Sequence, residues 1–408
     1  MMSLITAGSA VIVFKVVKMK EINSIITEFV NSQHNSEKVF LATVVNVQGS
    51  TYRQPGARML MTSSGKIVGT ISGGCLENDV CEHTRLMTDG QIKVVTYDTS
   101  ADEDIIWGFG LGCNGVVDVL IEHLIEDDLV NPLTFIHQCF CNQQPGIIAT
   151  VFAVAGTINV QVGARLILNY NGGVNSNIVE SALTQVLIND AQLALKNQNS
   201  SFHKYQLLSS EVNVFIELIK PPPNLIIFGA GRDAIPVANF GKALGWQVKI
   251  IDCRAIETSK ERFIMADEVM LTRREILYQQ ISINEYTFAV IMTHNYFDDL
   301  EILKLLIPSN LKYLGCLGSK QRTERLLTDL QKDGEEFTSK QLQKLYAPVG
   351  MDIGAETPEA IALSIVAEIQ AILKNRNGGF LKDRTEPIHY RNQTGEIKIN
   401  QSPVLSEK

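Results

Sequence analysis

Two cysteines stand inside glycine-rich stretches, Ser72-Gly73-Gly74-Cys75-Leu76-Glu77 and Trp107-Gly108-Phe109-Gly110-Leu111-Gly112-Cys113-Asn114-Gly115. The thiolate rather than the thiol is the nucleophile and the soft ligand, and a free thiol with pKa about 8.5 is only a few per cent ionised at neutral pH. In the first stretch Gly73 and Gly74 precede Cys75 at the expected start of a helix. Open amides and the helix dipole there favour a thiolate. A small buried filler beside a turn is the rival reading for Cys75. In the second stretch Gly110 and Gly112 let backbone approach a ligand closely around Cys113. A plain glycine-rich turn with an incidental thiol is the alternative, and two such cysteines in one part of the chain favour function. Between Gly49 and Arg58, Arg53 and Arg58 flank a Pro-Gly turn. They can grip a phosphate or stand solvated.

Further along, Gly229-Ala230-Gly231-Arg232-Asp233-Ala234 follows an apolar run and opens a helical one. This is the glycine fingerprint of a dinucleotide fold. Gly229 permits the tight turn, Gly231 lets a pyrophosphate approach, and Ala234 allows helix–strand packing. Asp252 lies at the end of the next strand, where a ribose-binding acid belongs. A scaffold of the same shape that binds no dinucleotide remains open. His294, in Thr293-His294-Asn295 with Asp298 and Asp299 close behind, falls at the C-terminal end of a later strand, where ligands of open α/β sheets bind. It reads as an acid/base group, as a metal ligand with a nearby carboxylate, or as a capping loop residue. Cys81, Cys139, Cys141, Cys253 and Cys316 read as structural, and no metal-type cysteine spacing is present.

These groups need elements to hold them. Pro221-Pro222-Pro223 removes three donors and reads as a stiff linker. After it, strands at 225–228, 248–251, 288–292 and 313–314 alternate with helical patterns at 232–244 and 300–307, which implies a parallel sheet. Thr357-Pro358-Glu359 opens a long helix that Gly378-Gly379 ends. Before the prolines, strands at 40–47, 58–61, 66–71, 92–97 and 116–121 surround a helix at 76–88, and 131–219 carries more strands and a helix near 177–195 but no chemical signal. The expected fold is α/β: an N-terminal mixed α+β domain followed by a C-terminal Rossmann-like doubly wound parallel sheet. The boundaries are an N-terminal extension at 1–18, the cysteine-bearing domain at 19–220, the linker at 221–223, the Rossmann-like domain at 224–378 and a disordered tail at 379–408.

The chain has 408 residues, 36 Lys and Arg against 44 Asp and Glu, and a net charge of −8, a poor bulk ligand for nucleic acid or an anionic membrane. Seven cysteines in so long a chain point to free thiols in a reducing, cytoplasmic setting. The apolar run 4–17 is too short to span a bilayer and follows no basic residue, so the working chain is expected to start near Met19.

The motifs GSTYRQPGARM, TISGGCLEND, WGFGLGCNG, LIIFGAGRDAIPVA, IMTHN, YLGCLGSKQRTERLL and APVGMDIGAETPEAIALSIVAEI, in that order, resemble the XdhC/CoxI family. These are accessory factors of xanthine dehydrogenase and carbon monoxide dehydrogenase, and the resemblance covers about residues 20–375. It implies a factor that binds the molybdenum cofactor, a molybdopterin with a dinucleotide form in bacteria, and delivers it sulfurated to a molybdenum hydroxylase. The family's glycine-flanked cysteines match Cys75 and Cys113, and its dinucleotide-fold residues match Gly229, Gly231 and Asp252. Cys253 departs, where relatives often have proline. The partners implied are the hydroxylase and a cysteine desulfurase as sulfur donor, with a homodimer as the default by symmetry. Such a protein is a cofactor carrier more than a turnover enzyme. The rival is an NAD(P)-dependent oxidoreductase with His294 as proton donor, and a third reading is an adaptor without ligand.

Overall fold

A computed structural model describes residues 21–49, 51–74, 76–98, 115–125, 128–207, 209–254, 261–385 and 394–399. The chain begins with α1 (Glu21–His34), whose Ile25, Ile26 and Phe29 turn inward, and continues into β1 (Val39–Gly49), β2 (Arg58–Thr62), β3 (Ile67–Gly69), α2 (Glu77–Leu86), β4 (Ile92–Asp98) and β5 (Gly115–His123). The strands form an antiparallel sheet in the order β3-β2-β1-β5-β4. Its buried strands are β-branched and aliphatic, the composition that packs on a pleated surface.

The stretch without chemical signals builds a second sheet of its own. It comprises α3 (Pro132–Cys141), β6 (Gly146–Ala155), β7 (Arg165–Leu168), β8 (Val174–Ser176), α4 (Ser181–Asn197), β9 (Ser201–Leu207) and β10 (Ser210–Ile219). Asn131 starts α3 by accepting from the amides of Leu133 (3.0 Å) and Thr134 (3.2 Å), and Pro132 follows at the position where a missing N–H costs nothing. The two sheets meet through Val45 and Leu120 on one side and Phe152, Phe202 and Phe215 on the other. Two buried ion pairs also cross between them, Arg58 on β2 with Glu217 on β10 and Arg165 on β7 with Glu122 on β5. Within the region 19–220, expected to be mixed α+β, the strands thus form two sheets packed on each other.

At the prolines expected to be a stiff linker, Pro221 and Pro222 are buried and the chain runs straight into β11 (Asn224–Phe228). Then come α5 (Ala234–Ala243), β12 (Gln247–Asp252), β13 (Glu268–Leu271), α6 (Leu277–Gln280), β14 (Thr287–Ile291), α7 (Tyr296–Leu306), β15 (Tyr313–Cys316), α8 (Lys320–Lys332), α9 (Ser339–Leu342), β16 (Leu345–Tyr346) and α10 (Pro358–Leu373). All strands are parallel, in the order β13-β12-β11-β14-β15-β16. That is the 3-2-1-4-5-6 order of a dinucleotide fold, with its switch point between β11 and β14. α5 and α10 cover one face, while α6, α7 and α8 cover the other. The expected Rossmann-like, doubly wound sheet is thus present.

Thr394–Ile399, expected within a disordered tail, forms β17 and pairs in parallel with β9. The outer edge of β9 offers a row of backbone groups that only the assembled sheet creates. No helix among the described residues is long and apolar enough to cross a membrane.

Candidate functional site

The β3–α2 loop carries Ser72, Gly73 and Gly74, and Glu77 at the start of α2 folds its carboxylate back over them. Oε1 accepts from the amides of Ile71 (3.1 Å), Ser72 (2.9 Å) and Gly73 (3.3 Å) and from the Thr70 hydroxyl (2.5 Å). Oε2 accepts from the Gly74 amide (3.0 Å) and the Ser72 hydroxyl. Successive amides bent around an anion make a nest, and φ values of +146° at Gly73 and +116° at Gly74 explain the two glycines. Burial pushes the Glu77 carboxyl up, but the bonds from Ser72, Thr70 and the backbone outweigh it and hold the group down at about 2. The expectation of open amides beside Cys75 is corrected here: those of residues 71–74 are taken by Glu77. α2 also begins only at Glu77. Cys75, Gly110, Gly112 and Cys113 lie outside the described residues.

Arg53 and Arg58 come to the same side of the first sheet. Arg53 pairs with Glu21 at the start of α1, and Glu21 also accepts from the Thr70 amide at 3.0 Å, which ties the arginine turn to the cysteine loop. Arg58 is 6% exposed and donates to Glu217 Oε1 at 2.9 Å and to the Gly56 carbonyl at 2.8 Å. Both guanidiniums are therefore neutralised within the fold, and Arg58 serves to join the two sheets rather than stand open to phosphate. With Glu21, Glu217, Phe140 and Leu244 they line a cavity of about 430 Å³ that reaches the Rossmann half.

At the switch point four of the expected residues, Gly229, Gly231, Asp252 and His294, converge. Gly229, at φ +120°, leaves no room for a side chain, since a β-carbon there would lie 2.4 Å from the Met292 carbonyl. Asp252 accepts from the Ala230 amide at 2.7 Å and from the Arg254 amide at 2.7 Å. Arg254 then reaches across to the Thr293 carbonyl (2.7 Å) and to Asp298 (2.7 Å), which is 2% exposed. Asp299 bonds to the Thr293 hydroxyl and to Arg322; burial pushes its carboxyl up against these two contacts. Cys253 is pushed up to about 11 by burial and by the charges of Asp298 and Asp252, which makes it a poor nucleophile.

His294 has φ +55° and places Nε2 2.7 Å from Asp233 Oδ2, joining the fourth strand of the Rossmann order to its first glycine turn. Asp233 Oδ1 fills the space over Gly231, where an added β-carbon would meet it at 2.4 Å. Asp233 Oδ1 thus stands over the face of Gly231 that a dinucleotide's pyrophosphate would approach. Sequence reasoning passed over Glu77 and Asp233, although both lie inside motifs it had singled out. The usable signal was an acid within a few residues of glycine amides. Among the described residues, no group of three or more His, Cys, Asp or Glu side chains is placed to hold a metal ion.

The comparisons with known proteins agree with this architecture. Residues 32–98 match the XdhC and CoxI family and residues 225–369 the XdhC Rossmann domain. The chain is 33% identical over 336 residues to a probable xanthine dehydrogenase subunit of Bacillus subtilis, spanning 82% of this chain and 93% of that one. It is 22% identical over 334 residues to the molybdenum cofactor insertion chaperone PaoD of Escherichia coli, spanning 81% and 82%. A crystal structure of a xanthine dehydrogenase from Bacillus halodurans superposes with a TM-score of 0.67 at 28% identity, covering 88% of this chain and 98% of that one. Fold, motif order and a relative matched along nearly its full length together place this chain in the XdhC and CoxI family.

Proposed function

We propose that this chain is a maturation factor that takes up the molybdenum cofactor as cargo and hands it, in sulfurated form, to a xanthine-dehydrogenase-type molybdenum hydroxylase. Cys75 and Cys113 hold the cargo or pass its sulfur, with Gly73, Gly74, Gly110 and Gly112 giving the backbone close access. A cysteine desulfurase supplies the sulfur, and the working form is a cytoplasmic homodimer. The observation that carries the reading is the Glu77 clasp. Six hydrogen bonds fix the chain on both sides of Cys75, while Gly73 and Gly74 next to it stay exposed. A loop bound so tightly yet left at the surface suits a thiol that must meet cargo. The family and the name of the PaoD relative support the same direction. Soft thiolates match molybdenum–sulfur chemistry.

The test is purification of the native chain and a Cys75→Ala/Cys113→Ala variant from a molybdenum-replete host, with molybdenum measured by mass spectrometry and pterin by fluorescence after oxidation. Both signals should fall to background in the variant. Retention of both at the native level would refute the thiol role. A second reading, the NAD(P)-dependent oxidoreductase with His294 as proton donor, draws on the Asp233–His294 bond at the switch point. It requires the dinucleotide that Asp233 obstructs. The dinucleotide form of the cargo meets the same obstruction if its pyrophosphate is to rest on Gly229, Gly231 and Asp252.

A further inference from the structure

We propose that Asp233, held in place by His294, sets the ligand charge of the switch-point crevice and keeps the pyrophosphate of a dinucleotide out of it. A glycine fingerprint recognises a diphosphate in two ways: through unoccupied amides at the turn, and through the bare face of its second glycine. The chain's own carboxylates meet one of the turn's amides and the bare face of Gly231 here. The Ala230 amide donates to Asp252 Oδ2 at 2.7 Å. The bare face of Gly231 is filled by Asp233 Oδ1, 2.4 Å from where a β-carbon would stand, with His294 Cδ2 the next neighbour from outside the turn at 3.9 Å.

The ordinary reason for an aspartate at this place does not apply. Asp233 is the residue before α5, yet its side chain makes no capping hydrogen bond to the helix amides. Its Oδ2 turns instead to His294 Nε2 at 2.7 Å. His294 reaches it from the opposite rim with φ +55°, a backbone conformation uncommon for a residue that is not glycine. The pair is a strut between the rims, and it carries a carboxylate into the seat that a phosphate would need. Two like charges about 4 Å apart near a protein surface repel strongly enough to lower affinity by roughly tenfold or more. A dinucleotide fold is thereby retained as a scaffold while its usual ligand is refused. The inference is independent of the cargo role, which rests on the N-terminal loops, so either can fail alone.

The experiment is calorimetric titration of the full chain with NADH and, separately, with cytidine diphosphate. It compares native protein, Asp233→Asn, Asp233→Ala and His294→Gln, each checked by circular dichroism for native helix content. Native protein should bind neither compound at millimolar concentration. His294→Gln, which loosens the hold on Asp233, should bind more weakly than either Asp233 variant but detectably, and no gain there would overturn the role given to His294. Asp233→Asn and Asp233→Ala should both bind at least about tenfold more tightly than native protein. Native protein binding NADH as tightly as the variants overturns the proposal, as does the absence of any gain in both Asp233 variants. A gain confined to Asp233→Ala also overturns it, because bulk rather than charge would then be the barrier.

Discussion

In the β3–α2 loop the amides of residues 71–74 converge on Glu77, whereas in the β11–α5 turn the Ala230 amide is bonded to Asp252 and Asp233 covers Gly231 without a capping bond to the helix amides. Both segments have the same appearance in sequence: small residues at the mouth of a helix, an arrangement that recognises anions. In the first the chain has supplied its own anion and spent the amides for good. In the second its carboxylates stand over a seat that remains structurally intact. A glycine cradle is therefore a site for a guest only after the acids within reach have been placed. The arginines of the two regions differ in the same manner. Arg58 is locked with Glu217 between two sheets, with side chains 6% and 12% exposed, while Arg254 spans the crevice half in solvent at 51%.

The largest effect expected from this contrast is at Arg58. Arg58→Ala leaves Glu217 charged without its bidentate partner and should cost about 3–5 kcal/mol in urea unfolding. Replacing both, as Arg58→Met/Glu217→Leu, should recover most of that loss. A single variant as stable as native protein would mean that the pair contributes little to joining the sheets. Next comes Glu77→Ala, which strands four amides and two hydroxyls and should cost about 2–3 kcal/mol. An unchanged unfolding midpoint would show that water replaces the carboxylate without loss.

The Glu77 carboxyl also sharpens the contrast through pH. Its folded value is about 2 against an ordinary 4.5. A lowered carboxylate contributes stability above its unfolded value and loses it as pH falls through the folded one. Native stability should therefore decline more steeply than that of Glu77→Gln between about pH 4.5 and pH 2, and parallel curves would count against the clasp. The smallest effect is at Arg254. Arg254→Ala removes a guanidinium that is 51% exposed, and Arg274 stays 3.4 Å from the buried Asp298, so the loss should be about 1–2 kcal/mol, below that at Arg58. A loss as large as at Arg58 would erase the distinction between the two regions.

Much of the Rossmann half could be read directly from the chain. Leu225 to Phe228 is the unbroken apolar run of a strand buried on both faces, and Thr357 with Pro358 marks the start of α10. Asp252 falls at the end of its strand as the spacing required. The strands of 131–219 and the helix near 177–195 were legible, but not that they close a sheet of their own, because alternation does not name a partner strand; β17 was hidden because its partner edge lies nearly two hundred residues away. Glu77 was visible as a letter but not as a ligand, since nothing in the spacing says that a side chain will fold back over its own loop.

By itself the sequence determined the elements: period, caps and turns are short-range properties, set by sterics and hydrogen bonds among near neighbours. It also determined that the C-terminal sheet is parallel, because strands alternating with helices connect by right-handed crossovers. Tertiary structure alone decided which charges are free. Arg58 meets Glu217 and Asp233 meets His294 only once distant strands are packed side by side. An electrostatic partner is chosen by distance in space, where the energy falls with separation and depends on the surrounding dielectric. Position along the chain carries no such information.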